Sequence, residues 1–125
     1  LDLLLVDTAG FEDVTDASLE ARMRRQTELA IAQADICLFV YDAREGVTAL
    51  DERFAQLVRR SGKPVVVVAN KCEGAQGSSG LHEAWRLGLG EAVPLSAEHG
   101  EGMADLYEAI VATGVAGTED PAERT

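Results

Sequence analysis

Apolar residues gather in four short runs, at residues 2–6, 36–41, 65–69 and 92–95. The third, Val65-Val66-Val67-Val68, is continuous and β-branched, the mark of a strand buried on both faces of a parallel sheet. Between the runs the apolar spacing becomes helical. Leu19, Met23, Ala30 and Ile31 predict one helix, and Leu50, Phe54, Leu57 and Val58 a second. The second has Thr48 as N-cap with Asp51 three residues on, and Gly62 and Pro64 stop it. A shorter helix is expected around Leu81, Ala84 and Trp85. A last one carries Met103, Leu106, Tyr107, Ile110 and Val111 before Gly114. Strict strand–helix alternation predicts an α/β fold, an open parallel sheet with helices on both faces. Residues 115–125 lack periodicity and read as an acidic tail or interdomain linker, leaving 1–114 as one domain.

Composition adds limits. The chain is 46% hydrophobic and 26% charged, with 22 acidic against 11 basic residues and a formal net charge of −11. Such a field opposes nonspecific nucleic-acid binding, and no DNA partner is expected. Arg22, Arg24 and Arg25, and again Arg59 and Arg60, read as solvated helix faces. Cys37 sits inside an apolar run and reads as a small core residue; the other cysteine, Cys72, has no CxxC or histidine companion, so neither a disulfide framework nor a zinc site is expected. No apolar run reaches 18 residues, and the expected setting is the cytoplasm, with no membrane partner.

Each predicted strand runs at its carboxyl end into polar residues: Asp7-Thr8-Ala9-Gly10, then Asp42-Ala43-Arg44-Glu45-Gly46, Asn70-Lys71-Cys72-Glu73 and Ser96-Ala97-Glu98. Open α/β sheets bind ligands at that edge, so one shared site is expected. A carboxylate at Glu73 can accept from guanine N1–H and the 2-amino group, donors that adenine lacks at those positions. The amide of Asn70 can tie the loop, the stem of Lys71 can lie over the base, and a backbone N–H near Ala97 can donate to guanine O6. Asp7, at a strand end, suits Mg²⁺ held through water, and Gly10 lets its N–H approach a γ-phosphate. Against this stands a plainer reading, in which Asn-Lys-x-Glu is a polar turn capping a helix and Thr8-Ala9-Gly10 an ordinary turn.

DTAG, NKCE and SAE, in that order after successive strands, resemble the G3, G4 and G5 motifs of translation-factor-type GTPases. YDAREGVTALDERFAQLVRRSGKPVVVVANKCEG and VPLSAEHGEGMADLYEAI narrow the likeness to the first G domain of the Der/EngA GTPases, bacterial proteins with two tandem G domains that act in ribosome assembly. The resemblance spans about residues 1–114. It implies a P-loop NTPase-like G domain, GTP or GDP with Mg²⁺ as cofactors, and the large ribosomal subunit as a partner of the whole protein. It places Asp7 and Gly10 at the Mg²⁺ and γ-phosphate, and Asn70, Lys71, Glu73, Ser96 and Ala97 around the base. Family members usually carry aspartate where Glu73 stands; the extra torsion costs about 0.5 kcal/mol of ordering entropy.

The family pattern also sets a G-x-x-x-x-G-K-S/T loop before the DTAG strand, and these 125 residues contain none. Their one Gly-Lys pair, Gly62-Lys63, precedes a strand and is followed by Pro64. The fragment thus begins at G3, without the first strand, P-loop, first helix and switch I threonine. In the family fold that first strand lies between the runs at 2–6 and 36–41. Two strands flanking such a gap would stand roughly 9–10 Å apart, too far for ladder bonds. Either the two close up and pair directly, or another chain fills the space. Phe11 stands where Ras-like GTPases carry a water-orienting glutamine, so it is no catalytic candidate. The whole protein is expected to hydrolyse GTP and the fragment alone to be inactive. The competing reading is a catalytically inactive α/β interaction module. A response-regulator or flavodoxin-like domain fits less well, for want of a phosphoacceptor pocket or an FMN loop.

Overall fold

A computed structural model describes residues 2–9, 16–72, 74–96 and 100–114, with the side chains at 75, 76 and 78 left out. Four strands form one sheet in the order β1 (Leu3–Asp7), β2 (Ile36–Asp42), β3 (Val65–Asn70), β4 (Ala92–Leu95), and every pairing is parallel. The expected α/β architecture and parallel sheet are borne out. β1, β2 and β3 each run one residue further than the apolar pattern suggested, so Asp7, Asp42 and Asn70 are ladder residues and not loop residues. Of the two arrangements open for β1, the structure takes direct pairing: Leu3 stands beside Ile36 and Asp7 beside Val40.

The register assigns alternate residues to two cores. Cys37, Phe39, Tyr41, Val67 and Ala69 face one side. There α1 (Ala17–Gln33) and α2 (Ala49–Ser61) pack, followed by α3 (Gly74–Leu81) and a 3-10 helix (His82–Leu87). Ile36, Leu38, Val66, Val68 and Leu95 face the other, against Leu106, Ala109 and Ile110 of α4 (Met103–Ala112). Both faces therefore carry helices, unequally. α4 lies over β3 and β4, and Leu3 and Leu5 of β1 stay 48% and 59% exposed.

α2 forms where the sequence places it because its ends are capped. Thr48 accepts from the Asp51 N–H at 3.1 Å, and Asp51 accepts from the Thr48 N–H at 2.9 Å. Gly62 closes the helix in the left-handed region, at φ 71°. Acidic Glu52 at the start and Arg59 and Arg60 at the end suit the helix dipole. All four residues of its apolar stripe are buried. Asp51 does more than cap: its other oxygen accepts from the buried Thr8 hydroxyl, tying α2 to the residue after β1. Replacing Asp51 by alanine leaves Thr8 and the Thr48 N–H unpaired, and a loss of about 2–4 kcal/mol is expected in urea denaturation. A loss under about 1 kcal/mol would mean that water satisfies both groups.

Two helical expectations need correcting. The helix around Leu81, Ala84 and Trp85 is in fact an eight-residue α-helix continued by the 3-10 turn, and Trp85 is 76% exposed. In α4 only part of the stripe packs: Leu106 and Ile110 meet the sheet, while Met103, Tyr107 and Val111 face outward.

Candidate functional site

Parallel pairing brings every strand's carboxyl end to one edge, and there the polar clusters collect. Asn70 ends β3 beside Leu95, so Asn70-Lys71 and Ser96 emerge from neighbouring strands. The Cys72 N–H donates to the Leu95 carbonyl at 3.0 Å, which carries the join one step past the sheet. Ser96 is closed by a two-way backbone bridge to Glu101, 3.0 Å each way. Its hydroxyl is buried and has no partner among the described residues, a polar atom poised for a group outside them.

Lys71 is the one described non-glycine residue with positive φ, at 64°. Its N–H donates to Asn70 Oδ1 at 2.9 Å, which turns the chain sharply off the strand. Its ammonium donates to Asp42 Oδ2 at 3.1 Å. Asp42 stands beside Asn70 in the ladder, and its Oδ1 accepts the Arg44 N–H at 2.9 Å. Burial pushes the Asp42 carboxyl up, but Lys71 and the N–H groups of Arg44 and Glu45 outweigh it and hold the group below the usual aspartate value.

α3 follows the Lys71 turn and presses on it. A Cβ at Gly77 would stand 2.8 Å from the Cys72 carbonyl carbon, and one at Gly80 would stand 1.5 Å from the Ala43 carbonyl oxygen. The buried Tyr41 hydroxyl donates to the Gly80 carbonyl at 2.9 Å. Burial, with the nearby Cys72, Glu83 and Asp51, pushes that phenol well above its ordinary value, so it stays a donor.

On the far side of the edge, Asp7 closes β1 and its Oδ1 accepts the Ala9 N–H at 3.1 Å. Among the described residues no group of three or more His, Cys, Asp or Glu gathers to hold a metal. A lone strand-end carboxylate fits Mg²⁺, which keeps waters and takes ligands from phosphate oxygens. Thr8, Ala9, Asp42, Glu45, Gly46, Thr48 and Asp51 line a small concavity between the Asp7 end and the Lys71 end. A larger cavity of about 270 Å³ lies between β1, α1 and Phe54, with Asp7 and Thr8 at its rim.

Of the residues expected from sequence, Asp7, Asn70, Lys71 and Ser96 come to this edge. Gly10, Glu73 and Ala97, with Phe11, lie outside the described residues. Sequence reasoning put Asp42 at the edge without a role, and it gave Thr8 and Asp51 no contact; both contacts join residues far apart in the chain. No described helix is long and apolar enough to cross a membrane.

Comparison with known proteins agrees with this geometry. The chain is 64% identical over 110 residues to the GTPase Der of Hyphomonas neptunium, covering 88% of this chain and 22% of that protein. It is 59% identical over 111 residues to the GTPase Der of Brucella anthropi, covering 89% and 23%. The chain thus spans about a fifth of the length of these relatives. In structure it resembles Era in complex with MgGDPNP and a segment of 16S ribosomal RNA, with a TM-score of 0.63 and 29% identity over 82% of this chain and 36% of that one. It shares its fold with a probable GTP-binding protein, EngB, with a TM-score of 0.62 and 18% identity over 77% of this chain and 64% of that one. The family model described as 50S ribosome-binding GTPase matches residues 1–71, and the chain belongs to that family.

Proposed function

We propose that these residues form the part of a Der-type first G domain that runs from the G3 motif onward, and that they supply guanine recognition to a protein that hydrolyses GTP in large-subunit assembly in the bacterial cytoplasm. In this reading Asn70, Lys71, Glu73, Ser96 and Ala97 surround the base, and Asp7 and Gly10 face Mg²⁺ and the γ-phosphate. Mg²⁺ would neutralise phosphate charge; Asp7 would orient its water shell. The observation that carries the reading is the emergence of Asn70-Lys71 and Ser96 from adjacent parallel strands, with Lys71 in a left-handed turn. In this reading the segment after the turn carries the Glu73 carboxylate to the base. A carboxylate there pairs with guanine and is left unpaired by adenine, which costs binding more than a missing contact would.

The test is an NMR titration of the chain with GDP and with ADP. GDP is expected to bind about tenfold more tightly or better, with shifts centred on residues 70–73 and 95–98, and Glu73→Ala is expected to erase the difference. Equal affinities would remove Glu73 as the specificity residue. No shifts with either nucleotide would favour an inactive interaction module.

A further inference from the structure

We propose that Asp42 is a positioning residue for guanine recognition: its carboxylate anchors the Lys71 ammonium, so that the lysine stem is laid across the base site before a nucleotide arrives. This rests on the reading of Asn70-Lys71 as part of the base-binding loop.

A lysine side chain has four torsions and little intrinsic reason to lie in one direction. Here both its ends are fixed. At the backbone, φ 64° and the N–H bond to Asn70 Oδ1 set the direction in which the side chain leaves. At the tip, Asp42 Oδ2 holds the ammonium at 3.1 Å. The Asp42 side chain is only 11% exposed against 44% for Lys71, so the aspartate is the fixed partner and the lysine the one it orients. Asp42 is itself doubly held: it is in register with Asn70, and its Oδ1 is committed to the Arg44 N–H. The Ala43 N–H donates to the Asn70 carbonyl at 2.8 Å, which locks the two strand ends together just beyond the pair. Anchoring the tip has a second effect. An ammonium paired with Asp42 presents its methylenes to a purine face and offers little charge to the phosphates.

The two oxygens of Asp42 have separate duties, which makes the proposal testable. Asp42→Asn can keep an oxygen on the Arg44 N–H while offering Lys71 an amide without charge. It is expected to weaken GDP and GMP by the same factor, about three- to tenfold. Asp42→Glu is expected to recover part of the loss. In a Lys71→Met background the Asp42→Asn effect is expected to vanish. Lys71 is one of two lysines in the chain, so its Nζ resonance can be followed without ambiguity; a protected ammonium signal is expected in the unliganded chain and is expected to be lost in Asp42→Asn. Persistence of the full loss in Lys71→Met, an unprotected Lys71 signal in the unaltered chain, or unchanged GDP affinity in a folded Asp42→Asn would overturn the proposal. A chain that does not prefer GDP to ADP before any substitution would instead bring down the base-loop reading, and the role of Asp42 with it.

Discussion

Incubated with GTP and Mg²⁺, the 125-residue chain is expected to release no phosphate above buffer and to bind GDP only in the millimolar range or more weakly. Phosphoryl transfer depends on holding the β- and γ-phosphates and the metal in line, and a P-loop backbone with its lysine does most of that work. No such loop occurs in these residues. In the proposed reading, the carboxyl edge offers a base site and Asp7. In that reading, two charge-assisted hydrogen bonds at Glu73 would contribute about 1.5–3 kcal/mol each, and the lost translational and rotational freedom of the ligand would offset much of that. The remainder is at most about 4 kcal/mol, which corresponds to millimolar affinity or weaker. A complete site with phosphate contacts is expected to bind at micromolar or better, a gap of about a thousandfold. Calorimetry with GDP and a phosphate-release assay on the chain measure both halves. Micromolar affinity or turnover above buffer would mean that some other group in these residues holds the phosphates.

Gly80→Ala is expected to cost about 3 kcal/mol in urea denaturation, against the direction that helix propensity predicts. On an isolated helix the change is favourable by about 1 kcal/mol, because alanine loses less backbone entropy. In this fold the new methyl carbon falls 1.5 Å from the Ala43 carbonyl oxygen, which is main chain and cannot rotate away. α3 must lift off, and the Tyr41 hydroxyl then loses its acceptor on Gly80. Overpacking of this kind costs about 1–3 kcal/mol, and a buried unpaired hydroxyl adds to it. Ser79→Ala, on the exposed side of the same helix, is the control and is expected to be neutral or slightly stabilising. A Gly80→Ala chain as stable as the parent would show that α3 does not sit so close to the strand ends.

Sequence and structure agree where a local signal is strong. β2 and β3 are apolar on both faces because both faces are covered, and their alternation maps onto the two cores residue by residue. α2 carries both caps and a full stripe, and all of it is used. Asp7, Asn70 and Ser96 are legible as edge residues because a parallel sheet leaves a strand's end nowhere else to go. What the pattern misses is non-local or lacks side chains. α3 is held by close backbone approach at Gly77 and Gly80, and glycines in a polar stretch look like a loop. The grip of Asp42 on Lys71 follows from the β2–β3 register, which no single segment encodes. Trp85 and Tyr107 read as core because periodicity reports which residues share a helix face, not how far the neighbouring surface extends.

The glycine content of α3 also has a kinetic meaning. Three of its eight residues are glycine, and a helix so short and so poor in propensity has no stability in the unfolded chain. It can form only against a surface that already exists, the joined ends of β2 and β3. Those ends come together through parallel pairing across a helical crossover, itself a slow step with a large loop to close. By this argument α3 is expected to be among the last elements to order and among the first to open. Sub-global unfolding of α3 would release the Lys71 turn while the sheet stays intact. The loop proposed to read the base is in this way tied to a helix that the chain cannot build alone.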